Sequence, residues 1–199
     1  MPRWQLLSVT VLLLAGPAAP AAEITEPGRH LARVLDGMHV EDHWLPDEQV
    51  DWRTGAPDPK APHSHTHCSA FVAAACERLG VYILRPPEHS QTFLANAQQE
   101  WLRGQGRARG WEPVSSGEEA QRLANRGDVV VASYHNPNPR KPGHVALVRP
   151  STKSDRRIAA EGPEVIFAGI HNHNRASLVV GFRHHPRGQI VFFAHRAER

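Results

Sequence analysis

From Cys68 to Leu79 the chain reads Cys-Ser-Ala-Phe-Val-Ala-Ala-Ala-Cys-Glu-Arg-Leu, and few backbones other than a helix suit it. Alanine and leucine are strong helix formers. Phe71, Val72, Ala75, Cys76 and Leu79 recur at spacings of three and four, which places them on one face. Gly80 supplies the stop, because glycine readily takes the left-handed conformation that ends helices. So much alanine lets neighbours approach closely, and the helix is expected to be buried. Whatever else the chain forms must pack around it.

The flanking segments set out those neighbours. His30 to Leu35 carries a short helical pattern, and residues 46–66, rich in Pro, Asp and His, read as a long structured loop. Val81 to Leu84 reads as a short extended run. The spacing of Phe93, Leu94, Ala97 and Trp101 predicts a helix over Ser90 to Arg103, and Ser116 opens a third that ends near Gly127. Beyond that point the pattern turns to β. Asp128 to Tyr134 and His144 to Val148 read as strands on either side of a Pro- and Asn-rich loop. Ser151 to Asp155 reads as a turn and Arg156 to Glu161 as a strand pairing back. Glu164 to Ala168, Leu178 to Phe182 and Gln189 to Ala194 complete the strand candidates. Helices first and short strands later imply an α+β fold with an antiparallel sheet.

Met1-Pro2-Arg3, the apolar run Leu6 to Leu14 and the small residues up to Ala22 form an export signal by pattern, with cleavage after Ala21 or Ala22. The run is too short for a stable span of a bilayer, so no membrane span is expected after cleavage. Residues 23–199 are read as one domain, with 23–66 as its N-terminal extension and loop, in the periplasm or outside the cell. Loss of the signal removes Arg3 and no acid, taking the formal charge from +3 to +2. Lys and Arg are scattered, and nucleic acid needs a concentrated basic face, so it is not an expected partner.

Cys68 and Cys76 are the only cysteines. Eight residues of helix separate them by about 12 Å, beyond the roughly 7 Å that a disulfide spans, so two free thiols are expected. Cys68 opens its helix, where the partial positive charge of the N-terminus favours a nucleophilic thiolate. Cys76, two turns along the apolar face, reads as core. A thiolate nucleophile needs a base. His144, after Gly143 at the head of an apolar strand, is the candidate. The base needs an orienting partner: Glu161, if Arg156 to Glu161 pairs beside His144, or Asn172 in the segment after Ala168.

Trp52-Arg53-Thr54-Gly55 followed by His67-Cys68-Ser69-Ala70-Phe71-Val72 and Leu79-Gly80-Val81 resembles the nucleophile region of NlpC-type cell-wall peptidases. Gly127-Asp128-Val129-Val130-Val131 followed by Gly143-His144-Val145-Ala146-Leu147-Val148 resembles their base region, and equally that of the CHAP-type amidohydrolases. The resemblance implies a papain-like fold with the nucleophile helix packed on an antiparallel β-sheet. It also implies metal- and cofactor-free hydrolysis of amide bonds in peptidoglycan stem peptides or cross-bridges. Trp52, His67 and Ser69 are then expected to line the substrate cleft. His67 and Ala70 depart from the usual Asp and Gly of the NlpC type, and Arg156 stands where that type often has a third catalytic His. CHAP-type proteins often use Glu or Asn there, which suits Glu161 or Asn172.

Two other classes compete. His63, His65 and His67 alternate and could share a face, and with His171, His173, His184 and His185 they offer imidazoles for a zinc-dependent hydrolase. A non-catalytic wall-binding module on the same scaffold is the other.

Overall fold

The computed structural model describes residues 23–196, so the export signal expected over residues 1–22 lies outside the described residues. Among the described residues the α-helices are α1 (Glu26–Asp36), α2 (Cys68–Arg78), α3 (Leu94–Arg103), α4 (Gly117–Asn125), α5 (Asp155–Glu161) and α6 (Leu178–Gly181). The strands are β1 (Trp111–Val114), β2 (Val129–Tyr134), β3 (His144–Val148), β4 (Glu164–Phe167), β5 (His173–Ser177) and β6 (Val191–His195). They form one antiparallel sheet in the order β1-β6-β2-β3-β4-β5. The fold is α+β.

α2 runs where its composition puts it. Residues 68–76 are buried on every side, not on one face alone, because α1 and α3 flank the helix while β3 and β4 lie beneath it. Gly80 follows with φ +71, the left-handed stop its position implies. Side chains alternate across the central strands. Val129, Val131, Val145, Leu147 and Ile166 pack with α2, whereas Val130, Ala132, Ala146, Val148 and Val165 pack with α4 on the other face. The sheet is therefore a central layer between two cores, which is why β2 and β3 are buried throughout and apolar except at Ser133, Tyr134 and His144.

α4 begins at Ser116, whose hydroxyl accepts the Glu119 N–H, as the sequence implies. α1 starts four residues before the expected pattern, because Thr25 caps it and Pro27 suits its first turn. Val81 to Leu84 forms no strand among the described residues; it crosses the core irregularly with Ile83 fully buried. α3 starts at Leu94, and Phe93, expected inward, sits in a left-handed conformation with its ring exposed.

Two strand assignments are corrected. Arg156 to Glu161 is helical, in α5: Asp155 favours the positive end, Ile158 is buried on the α4 side, and Gly162 with φ +76 ends the helix. Leu178 to Phe182 is largely the short α6, because the Ser177 hydroxyl accepts the Val180 N–H and starts a turn. The pairing partner of β3 is β4, with Leu147 opposite Ile166 and Val148 opposite Val165.

Candidate functional site

Cys68 and His144 begin the two elements whose packing defines the core, α2 and β3. The heads of the two elements meet at one end of the sheet. Burial raises the Cys68 thiol above its ordinary value, opposed by main-chain N–H groups of Val145, Ser69 and Cys68 itself, which favour the thiolate. The sulfur is thus directed at the N–H of Val145, two bonds from the Cα of His144. Among the described residues no side chain caps α2, so the first-turn N–H groups have no side-chain competitor. The expectation that the helix terminus alone would favour the thiolate is corrected: with the sulfur buried, desolvation outweighs it.

The imidazole turns the other way. Alternation along β3 gives His144 the parity of Ala146 and Val148, which face α4, while Cys68 belongs to the α2 core. The ring lies 4.7 Å from that of Phe182, 5.5 Å from that of Phe167 and 5.7 Å from that of His185, stacked on the last. Burial, with His185 adding like charge, pushes its pKa down to about 3, and its Nε2 is buried without a hydrogen-bond partner among the described residues. Thiol and imidazole therefore meet through the main chain and not through their side chains.

Each head opens into a cavity. The Cys68 cavity, about 210 Å³, is lined by Ser69, Thr66, Gln91 and Phe93 among others. The His144 cavity, about 340 Å³, is lined by Phe167, Ile170, Val180 and Arg183 among others. Thr66, Pro142 and Gly143 line both, so the two cavities adjoin as halves of one cleft. Among the described residues the exposed large apolar side chains are Phe93, Ile170 and Val180, and all three border this cleft. Exposed apolar groups gathered at a concave surface mark ligand-binding sites more strongly than scattered ones.

Gly143 and Asn96 hold the meeting point in shape. A Cβ on Gly143 would lie 2.4 Å from both Asn96 Oδ1 and the Tyr134 carbonyl oxygen. Asn96, buried on α3, accepts the Asn136 N–H through Oδ1 and donates through Nδ2 to the Lys141 carbonyl, fixing the loop that delivers β3. From α3, Gln98 donates through Nε2 to the Ser69 and Leu84 carbonyls and ties the head of α2 down. Gln91 Oε1, on the Cys68 side, is buried without a partner among the described residues.

The other expected site residues divide. Ser69 lines the Cys68 cavity. Trp52 does not reach it: the side chain is core, with the Arg53 guanidinium 4.7 Å above its ring, and its carbonyl accepts the Trp44 indole N–H. His67 is buried, bonded through Nε2 to the Glu48 carbonyl, and burial lowers its pKa. It anchors the preceding loop. Glu161 ends α5, beyond the Val148 end of β3, roughly 13 Å of strand from His144, and pairs with Arg157 and Lys153. It does not orient His144. Asn172 donates through Nδ2 to the Val40, His43 and Trp44 carbonyls and accepts the Gly169 N–H through Oδ1, so its amide is fully engaged in holding the N-terminal segment. It is not the partner of His144 either.

His63, His65 and His67 do not converge. His65 bonds to Asp47 at 2.6 Å, His67 turns inward, and among the described residues no three His, Cys, Asp or Glu side chains are placed to hold a metal ion. Arg183, Ile170 and Val180, which line the His144 cavity, went unsignalled in the sequence: Val180 lies inside a run that reads as a strand, and the other two belong to no motif. Both cysteines are free and buried. Among the described residues no helix is long and apolar enough to cross a membrane. No known protein family and no curated protein matches the chain.

Proposed function

We propose that the chain is an exported, papain-like thiol amidohydrolase that cleaves amide bonds in the peptides of peptidoglycan. The observation that carries this reading is that the head of α2 opens beside the head of β3 on a cleft, with the main chain of Val145, Ser69 and Cys68 favouring the Cys68 thiolate against the burial that raises it. In this reading the Cys68 thiolate attacks a carbonyl carbon, and the N–H groups of Cys68 and Ser69 hold the developing oxyanion. His144 takes the thiol proton and passes it to the leaving amine; water then hydrolyses the thioester. Proton transfer requires the His144 ring to leave its Phe167–Phe182–His185 wall and reach the sulfur. The unpartnered Nε2 and the lack of any ion pair on the ring among the described residues leave little to hold it there besides packing.

A second reading has its own observation. A buried, raised thiol and an imidazole on the opposite sheet face suit a binding module that keeps the scaffold without turnover. One experiment separates the two. Purified peptidoglycan is incubated with the wild type and with Cys68→Ala, and the soluble products are read by mass spectrometry. Peptides released by the wild type alone support the hydrolase. Wall binding by both proteins with no release by either favours the module.

A further inference from the structure

The His144 half of the cleft has a chemistry the reaction does not call for. Arg183 and five histidines, His144, His171, His173, His184 and His185, line it, and among the described residues no Asp or Glu does. The Cys68 half likewise carries no Asp, Glu, Lys or Arg among the described residues. Burial keeps His144 and His185 neutral, so Arg183 is the lining group that brings positive charge to the cleft at any working pH. Arg183 is in none of the ion pairs among the described residues; its Nε donates to His184 Nε2 at 2.9 Å, which leaves the outer N–H groups of the guanidinium free of carboxylate. The same cavity is lined by Ile170 and Val180, 60% and 43% exposed, and by the ring of Phe167. The wall holds a buried polar atom without a partner, His144 Nε2.

We propose that this cavity is a subsite for a carboxylate borne on a small apolar residue, such as the free C-terminus of a peptide whose chain continues across Gly143 towards Cys68. A planar guanidinium matches a carboxylate in two parallel hydrogen bonds, and a cleft without acids concentrates anions at its mouth. The apolar wall takes the adjoining side chain, and about 340 Å³ suffices for one residue with its carboxylate. The inference deepens the hydrolase reading by naming the end of the substrate that the cleft would hold.

Its test is a binding measurement that needs no turnover. Acetyl-alanyl-alanine and its C-terminal amide are titrated by calorimetry into the wild type, Arg183→Gln and Arg183→Lys. The acid is expected to bind at least tenfold more tightly than the amide to the wild type. Arg183→Gln is expected to bring the two within about twofold, and Arg183→Lys to restore part of the difference. Equal binding of acid and amide to the wild type, or an undiminished preference in Arg183→Gln, overturns the proposal. So does inorganic phosphate binding as tightly as the peptide acid, because the apolar wall would then contribute nothing. A preference for the acid in a protein that never digests peptidoglycan retains the subsite and removes the hydrolase. Digestion dependent on Cys68, with no such preference, does the reverse.

Discussion

Cys68 and Cys76 share a helix, a burial class and a free thiol, yet their surroundings differ in kind. Burial pushes Cys76 up to about 12, with only the distant Arg85 opposing it, whereas Cys68 has three main-chain N–H groups in its favour and a cavity at its side. Alkylation reports thiolate and access together. Iodoacetamide at neutral pH is therefore expected to modify Cys68 at least tenfold faster than Cys76, as read by peptide mass spectrometry; equal rates would show that the cavity gives the sulfur no access. His144 carries the second prediction at this scale. The unfolded chain takes up a proton there near the ordinary 6.5, while the folded chain refuses it until about 3. Between those values the unfolded state binds more protons, so stability falls as pH drops from 6.5 towards 3, by about 1.4 kcal/mol for each pH step of one across that window. His67 and His185, also lowered by burial, add to the same slope. Urea unfolding at a series of pH values should show a shallower slope for His144→Gln than for the wild type, and identical slopes would contradict the burial of that ring.

At the scale of elements, α2, α4, β2 and β3 were legible because their signals were local: an alanine-rich run with a glycine stop, a serine cap, and two apolar runs either side of a loop. The mistaken and missed segments each had a local signal that tertiary context overrode or concealed. β1 contains Pro113, which reads as a strand breaker, but β1 is an edge strand and an edge tolerates a residue without an N–H. β5 is the opposite edge, and its polar, half-exposed sequence His-Asn-Arg-Ala-Ser shows no alternation to detect. The helix over Arg156 to Glu161 removes the pairing that a strand there would have made, and Glu161 leaves the site with it. The joint between β2 and β3 is where an element-scale prediction bears on the cleft. Gly143→Ala puts a methyl group against the Tyr134 carbonyl and Asn96, and overpacking of this kind typically costs about 1–3 kcal/mol. The loss should appear in urea unfolding, and under the proposed hydrolase reading peptidoglycan digestion should fall further than stability alone explains, because the shift moves the head of β3 itself. Unchanged stability would mean that the loop absorbs the methyl group freely.

Taken whole, the molecule is held by contacts that no local pattern announces. Arg149 has its side chain fully buried and joins three distant segments. Its Nη2 pairs with Asp36 at 2.8 Å, its Nη1 donates to the Asn174 carbonyl at 2.7 Å and to Asn174 Oδ1, and its Nε stands 3.7 Å from Glu164 without a hydrogen bond. Asp36 lies more than a hundred residues from Arg149, which is why a reading along the chain found neither. Arg149 is fully buried but the Asp36 side chain is 46% exposed, so breaking the pair strands the guanidinium and not the carboxylate. Asp36→Ala is expected to destabilise the fold by about 1–3 kcal/mol in urea unfolding, the loss per partner being smaller in Arg149→Met/Asp36→Ala.

The cleft is likewise a property of the whole, since its apolar rim comes from Phe93 before α3, Ile170 between β4 and β5, and Val180 in α6. Phe93 reads in isolation as a member of a helix face and Val180 as part of a strand, and only the assembled molecule leaves them exposed. Phe93 is 43% and Ile170 60% exposed, so a polar replacement of either also gives up some buried apolar area. Phe93→Ser is expected to cost roughly 1–3 kcal/mol and Ile170→Ser about 1 kcal/mol, and activity is compared under conditions where both variants are folded. If the two cavities act as one peptide-binding cleft, both variants raise KM for peptidoglycan digestion several-fold, although their side chains border different halves. An effect confined to Phe93→Ser would restrict the working site to the Cys68 half, and an effect of neither would detach the exposed rim from function altogether.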